Sequence, residues 1–194
     1  MNQQQWLMFN QLCESSVARQ VAFRPIARCD VFPLFQATQH PEFNQFLLWQ
    51  APESFEGVSP HIEKLRRDHE LGHGTSMSII EKDTGLWLGL FRVNAFEDGV
   101  DVGLYLHPFT WNRGTALIVG DVISSLIRKI DEKQSIYMRV HPENEKMKRL
   151  IGYFHFEKCE HTVQAVHPNH GIWTLWVYRH QSEHHPISSK LKSY

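Results

Sequence analysis

The feature that most constrains the fold is a strand that runs through a short loop into a long helix beginning at a glycine. Residues 100–106 have the pattern of a strand, and Gly114 opens a helical pattern that continues to Gln134. The apolar stripe of this helix consists of Leu117, Val119, Val122, Ile123, Leu126, Ile127 and Ile130. A mostly apolar strand follows at residues 135–140, as expected when both faces of a strand are covered. This strand–helix–strand unit predicts a sheet with a helix packed against it.

Hairpin strands dominate the rest of the pattern. Strands are predicted at residues 75–81, 86–96 and 100–106, and turns at residues 82–85 and 97–99 join them. Other strands are predicted at residues 21–26, 156–166 and 172–179, and helices at 3–19, after Asp30, from Ser59-Pro60 to Gly72 and at 143–154. The predicted fold class is therefore α+β, with a central mixed, mostly antiparallel seven-stranded sheet flanked by about four helices.

We expect one domain with an appendage at each end. Residues 1–20 are predicted to form an N-terminal helical extension, in which Trp6, Phe9 and Cys13 recur at helical spacing. Residues 21–180 form the predicted domain. The polar residues 181–194 are predicted to be a flexible C-terminal tail.

Composition narrows the class of protein. Of the 194 residues, 42% are hydrophobic, and 20 Lys and Arg against 21 Asp and Glu give a net charge of -1. The sequence therefore predicts a folded core, no nucleic acid partner and no membrane span. Cys13, Cys29 and Cys159 are far apart, and the N-terminus lacks a signal-peptide pattern. We expect reduced thiols and a cytoplasmic location.

The loop before the long helix has residues suited to an anion. A helix N-terminus presents N–H groups without intrahelical partners and the positive end of the helix dipole. Gly114 lets the backbone approach a ligand closely, and Arg113 adds a positive charge. Alone, these features occur more often at an ordinary helix start than at an anion-binding site. The surrounding residues are needed to distinguish the two.

Those surrounding residues form a longer motif. Residues 101–116 read D-V-G-L-Y-L-H-P-F-T-W-N-R-G-T-A, with key positions at Gly103, Pro108, Trp111, Gly114 and Ala116. The segment resembles E-I-G-Y-W-L-x-P-x-x-W-G-x-G-Y-A of the GNAT superfamily of N-acetyltransferases, most closely its ribosomal-protein (Rim-type) branch. The later residues Asn144, Leu150 and Phe156 resemble that family's N-x-x-S-x-x-L-x-x-x-x-G-F motif. The resemblance covers about residues 21–180 and implies a GNAT fold.

The resemblance also implies a function and a set of site residues. An acetyl group would pass from acetyl-CoA, the co-substrate, to a primary amine by direct attack in a ternary complex, without a metal. The strand residues Leu104, Tyr105 and Leu106 would bind pantetheine, and a backbone N–H at Leu104 would polarise the thioester oxygen. The pyrophosphate would lie on Asn112, Arg113, Gly114, Thr115 and Ala116, and Asn144 would contact the coenzyme near its thiol.

One departure from the family pattern bears on catalysis. Met147 stands where the family often has a serine, the candidate proton donor to the leaving thiolate, and methionine has no proton to donate. Tyr153, on the same predicted helix, is a candidate substitute, with interface packing as the equal alternative. Met147 also motivates a second hypothesis, a GNAT-fold module that binds acyl-CoA with little or no transfer.

The incoming amine must be neutral, and three residues are candidates for its base. Asp101 occupies the position of the family's frequent glutamate, and Glu97 and His107 lie nearby in sequence. A carboxylate in solvent, on a strand face or in a turn, is the more frequent outcome for Glu97 and an equal alternative for Asp101. For His107 the more frequent outcome is a hydrogen bond at the helix start. An α-amine is neutral in about a tenth of molecules at pH 7, against about one in 2,500 for lysine, so an α-amine needs less help. A protein N-terminus is therefore a candidate acceptor.

The segment His69-Glu70-Leu71-Gly72-His73 matches the H-E-x-x-H motif of zinc metallopeptidases. That motif needs one helix to continue through both histidines, and the glycines here are expected to end it. We treat the peptidase as a distant third hypothesis and assign no metal ligands.

The acceptor site is less constrained by sequence. In the GNAT fold it would be built by the first two helices and the late hairpin, here the aromatic residues Phe43, Phe46, Trp49 and Phe55 and the loop at Gly171. Core packing of these aromatic residues is at least as frequent an outcome. Either a monomer or a homodimer is compatible with the sequence.

Overall fold

The computed structural model describes residues 1–180, and the predicted tail at residues 181–194 lies outside the described residues. The strands are β1 (Val17–Ala18), β2 (Val21–Pro25), β3 (Thr75–Glu81), β4 (Trp87–Phe96), β5 (Gly99–Leu106), β6 (Ser135–Val140), β7 (Glu157–His167) and β8 (Gly171–His180). The helices are α1 (Gln3–Ser15), α2 (Val31–Thr38), α3 (Pro41–Asn44), α4 (Phe55–Glu70), α5 (Thr115–Ile130) and α6 (Glu145–Tyr153). Short 3₁₀ turns lie at Arg28–Asp30 and Pro108–Thr110.

The strands form one sheet in the order β1-β2-β3-β4-β5-β6-β8-β7. Only β5 and β6 are parallel among these described pairs, which confirms the mixed, mostly antiparallel architecture. The sheet has eight strands rather than the predicted seven because the two-residue β1 folds back on β2. Arg19, with a φ of 54°, makes the left-handed turn that permits this short hairpin.

Helices cover the sheet on both faces. On one face, α1 and α5 pack through Trp6, Phe9, Val119 and Ile123 against even-numbered β5 residues such as Val100. On the other face, α2, α3 and α4 pack against β4 and Tyr105 of β5. The side chains of β5 therefore divide between two layers, because successive side chains of a strand point to opposite faces. The predicted N-terminal helix is present and contributes Cys13 to the first of these cores. It ends at Ser15 rather than at residue 19, because the extended Ser16 leads into β1.

The second helix differs from its predicted start at Ser59-Pro60. It begins at Phe55, and the Ser54 hydroxyl accepts a hydrogen bond from the Gly57 N–H. Pro60 consequently lies inside the helix. The cap at Ser54 and the acidic residue in the first turn also signal a helix start. The prediction used the Ser-Pro pair that follows five residues later. The long helix also ends earlier than predicted, at Ile130, because Asp131 is extended.

The parallel strands approach very closely where they begin. A Cβ on Gly99 of β5 would lie 2.2 Å from the carbonyl oxygen of Ser135 on β6. We expect Gly99→Ala to lower the free energy of unfolding by about 1–3 kcal/mol, because the backbones must separate. Gly103→Ala on the same strand is the control, since its Cβ would meet no atom of the described residues within 4 Å. Equal urea midpoints for the two variants would contradict this account of the β5–β6 approach.

Candidate active site

The parallel strands separate soon after they meet. Pairing between β5 and β6 covers Gly99, Val100 and Asp101, and β5 continues to Leu106 beyond it. The N–H of His107 donates to the Leu88 carbonyl on β4 at 2.9 Å. Because backbone groups alternate along a strand, those of Leu104 and Leu106 point to the opposite side, toward the opening. The predicted Leu104 N–H therefore faces a cleft between β5 and β6.

The cleft leads to the loop that precedes α5. The indole N–H of Trp111 donates to the Leu106 carbonyl at 3.0 Å and holds this loop against the end of β5. His107 Nδ1 accepts the Phe109 N–H at 3.4 Å, which is the helix-start hydrogen bond predicted for it. Burial lowers the pKa of His107, so its neutral form is favoured.

Two left-handed residues shape the end of this loop. Asn112 has a φ of 62° and Gly114 a φ of 76°, and α5 begins at Thr115. Left-handed residues beside a helix start turn successive N–H groups toward one point, which forms an anion-binding concavity. The first N–H groups of α5, including those of Thr115 and Ala116, have no acceptor within the helix. Arg113 is exposed beside them. This geometry fits the pyrophosphate of a coenzyme.

Asp101 lies where the two strands separate. Its side chain is buried, with the residue 6% exposed, and its Oδ2 accepts a hydrogen bond from Arg139 Nη2 at 2.8 Å. This hydrogen bond raises the pKa of Arg139. Its other oxygen, Oδ1, is buried without a hydrogen-bond partner among the described residues. Asp101 thus presents a free carboxylate oxygen that is oriented by an arginine.

Sequence reasoning missed Arg139. It lies on β6, in the segment Ser-Ile-Tyr-Met-Arg-Val, where the one charged residue in an otherwise mostly apolar strand was the available signal. Tyr105, on the same face as Asp101, has its pKa raised by burial, with a smaller effect from Asp101. Its hydroxyl therefore stays protonated at neutral pH.

The predicted coenzyme contact at Asn144 has a structural task as well. Its Oδ1 accepts the Met147 N–H at 3.0 Å and caps the N-terminus of α6. The carboxamide nitrogen of Asn144 can only donate hydrogen bonds, so it takes no part in this cap. Met147 itself packs with Met138, Val140 and Ile151, so it serves the core between α6 and the sheet.

Tyr153 and Glu97 are the two remaining candidates for proton transfer. Tyr153 is the last residue of α6, is 44% exposed and contacts Phe154 edge to face at 5.2 Å. It is six residues after Met147, which places it about a third of a turn around the helix from that residue. Glu97 lies in the turn between β4 and β5 and pairs with His161 at 2.7 Å, at the end of β5 away from Leu104.

The H-E-x-x-H segment does not lie on one helix. Helix α4 ends at Glu70, and Gly72, with a φ of 69°, turns the chain before His73. His69 Nδ1 accepts the Ser76 N–H at 3.3 Å. Within residues 1–180, no group of three or more His, Cys, Asp or Glu side chains is arranged to hold a metal ion. The two histidines therefore lack the relative geometry that the metallopeptidase hypothesis requires.

Comparison with protein families identifies the family of this chain. Residues 20–157 match the model of the acetyltransferase (GNAT) domain. The chain belongs to the GNAT acetyltransferase family. Enzymes of this family transfer an acetyl group from acetyl-CoA to an amine.

Solved structures agree on the fold. An acetyltransferase from Salmonella typhimurium that modifies the N-terminal serine of ribosomal protein L7/L12 has 17% identity, with 86% of this chain and 97% of that chain covered and a TM-score of 0.72. RimJ of Mycobacterium smegmatis, in complex with a CoA disulfide, has 13% identity, coverage of 86% and 84% and a TM-score of 0.69. A GCN5-related N-acetyltransferase from Brucella melitensis has 15% identity, coverage of 86% and 77% and a TM-score of 0.72.

Two further findings complete the comparison. No curated protein matches the sequence at a significant level. In the part of the chain that the structure describes, the helices are too short or too polar for any of them to cross a membrane.

Proposed function

We propose that this protein transfers the acetyl group of acetyl-CoA directly to a primary amine within a ternary complex. The observation that carries the proposal is the open side of β5, where the Leu104 backbone faces the cleft. The free oxygen of Asp101 lies three residues earlier on the same strand. In this arrangement Leu104, Tyr105 and Leu106 bind pantetheine. The segment from Asn112 to Ala116 holds the pyrophosphate, and the Asn144 carboxamide contacts the coenzyme near its thiol.

The proposed step is a single acyl transfer. The amine nitrogen bonds to the thioester carbon, the carbon–sulfur bond breaks, and its electron pair leaves with sulfur. The Leu104 N–H donates to the carbonyl oxygen as negative charge develops there. Asp101 Oδ1 receives the proton lost by nitrogen and passes it to solvent.

The leaving thiolate needs a proton in turn. We propose Tyr153 as its donor, with solvent as the alternative, because the tyrosine is exposed at the end of α6. A thiol of pKa about 8.5 leaves without strong acid assistance, so Met147 in place of a serine is compatible with turnover.

The proposed acceptor is an α-amine, with a protein N-terminus as the leading candidate. Its low pKa supports this choice, since one buried carboxylate suffices as base. The acetyltransferase of the same fold that modifies the N-terminal serine of ribosomal protein L7/L12 supports it as well. Cys13, Cys29 and Cys159 are all free thiols, which supports a reducing, cytoplasmic location.

Initial-rate kinetics test the ternary mechanism. With acetyl-CoA and an α-amine acceptor varied together, we expect double-reciprocal lines that intersect and no acetylated protein after denaturation. Parallel lines with an acetyl-enzyme would contradict direct transfer. Binding of acetyl-CoA without turnover across a broad amine panel would instead favour the non-catalytic acyl-CoA-binding module.

A further inference from the structure

A contact between two side chains joins the two walls of the cleft after their strands have separated. The wall that continues from β5 includes Trp111, in the loop before α5, and the wall that continues from β6 includes Lys146, in the first turn of α6. The ammonium of Lys146 lies 3.9 Å from the centroid of the Trp111 ring. A cation at this distance is attracted by the electron-rich face of an indole. The contact therefore links the loop before α5 to α6.

Two further contacts hold the Trp111 ring in place. Its indole N–H donates to the Leu106 carbonyl at 3.0 Å, and the ring of His40 meets it edge to face at 5.1 Å. The ring is thus held from β5, from the residue before α3 and from α6. The next residue of the loop is Asn112, whose left-handed backbone shapes the anion-binding concavity. A fixed ring therefore fixes the start of that concavity.

Helix α3 anchors the lysine. The ammonium of Lys146 donates to Glu42 Oε2 at 2.5 Å. The chain after α3 also reaches the wall that continues from β6, where Phe46 stacks on His141 with ring centroids 5.2 Å apart. Both side chains of the ion pair are more than half exposed, so the pair contributes little to the stability of the fold. Its main effect is to orient the ammonium over the indole ring.

We infer that Lys146 is a positioning residue for the coenzyme, which holds the loop before α5 at a fixed distance from α6. Asn112 follows Trp111 directly, and Asn144 lies two positions before Lys146 at the N-terminus of α6. The contact thus joins the two segments that are proposed to bind opposite parts of one ligand. Walls that already have the spacing of the bound state lose less conformational freedom on binding, which raises affinity. This inference rests on the proposed coenzyme site.

Lys146→Met tests the role, because methionine keeps an unbranched side chain and removes the charge. We expect the Kd for acetyl-CoA to rise about fivefold, the value of one exposed cation–π contact. The rise should appear mainly in the dissociation rate, measured by displacement in a stopped-flow instrument. The value of kcat at saturating acetyl-CoA should stay within about twofold of wild type, because Lys146 has no part in the proposed transfer step.

Two further lysine variants separate position from charge. Lys146→Arg keeps a cation that stacks on indole and pairs with a carboxylate, so we expect its Kd to stay within about twofold of wild type. Lys148→Met removes a positive charge from the same helix, where Lys148 pairs with Glu145 at 2.6 Å. We expect it to leave the Kd within about twofold as well. A rise in Lys148→Met equal to that in Lys146→Met would assign the effect to charge alone and overturn the positioning role.

Glu42→Gln tests the anchor in a double-mutant cycle with Lys146→Met. We expect Glu42→Gln alone to raise the Kd about threefold, and to add nothing in the Lys146→Met background, where no ammonium is left to orient. Additive effects, or wild-type affinity in Lys146→Met, would overturn the positioning role and leave the proposed function standing. Wild-type protein that does not bind acetyl-CoA would overturn the proposed function itself.

Discussion

Gly114→Glu is expected to abolish acetyl-CoA binding, with an affinity at least about 100-fold below that of wild type. Gly114 has a φ of 76° at the start of α5, and a Cβ there would meet no described atom within 4 Å, so the new side chain has room. A carboxylate within about 5 Å of the pyrophosphate would cost roughly 3 kcal/mol at an effective dielectric constant of 20. That repulsion corresponds to about two powers of ten in Kd.

Gly114→Gln is the matched control for this variant. Glutamine has nearly the same shape and suffers the same left-handed backbone strain, but it carries no charge. We expect its affinity for acetyl-CoA to fall by less than about tenfold. If calorimetry gave equal losses for the two variants, strain rather than charge would explain them, and the assignment of the pyrophosphate to this loop would lose its support.

Asp101→Asn is expected to lower kcat by about 10²–10³-fold for an α-amine acceptor while acetyl-CoA affinity stays within about twofold. The amide keeps the size of the carboxylate and can still accept from Arg139, but its free end no longer takes up a proton. Thermal unfolding in parallel shows whether the loss of charge beside Arg139 also weakens the fold.

Glu97→Gln provides the comparison, since it removes a carboxylate from the turn that precedes the same strand. Its side chain is partly exposed and pairs with His161, so we expect kcat within about twofold of wild type. A kcat for Asp101→Asn that falls no further than that of Glu97→Gln would rule out Asp101 as the base.

Local signals along the chain predicted most of the fold. Strands 75–81 and 135–140 occur with the predicted bounds, because their apolar patterns are bounded by glycine or polar turn residues. The eighth strand was missed because two residues, Val17 and Ala18, carry no periodic pattern and pair only through the turn at Arg19. The start of α4 was missed because two cap signals lay five residues apart, and only packing chooses between them.

The residues of the candidate site also divide into those that local sequence predicts and those that it does not. The loop from Asn112 to Ala116 could be predicted because a helix start and its glycine are neighbours in sequence. Arg139 could not, since it reaches Asp101 from another strand across 38 positions of the chain. Contacts between distant segments follow from tertiary packing, which single-sequence patterns do not record.

Calorimetric titration of the wild-type protein with acetyl-CoA tests the central claim most directly. The cleft beside Leu104 and the anion-binding loop at Gly114 predict one saturable site with a micromolar Kd, of the order of -8 kcal/mol. Heat of binding at that level, with a stoichiometry of about one per chain, would establish the coenzyme site. The absence of binding by protein that unfolds cooperatively would contradict the account.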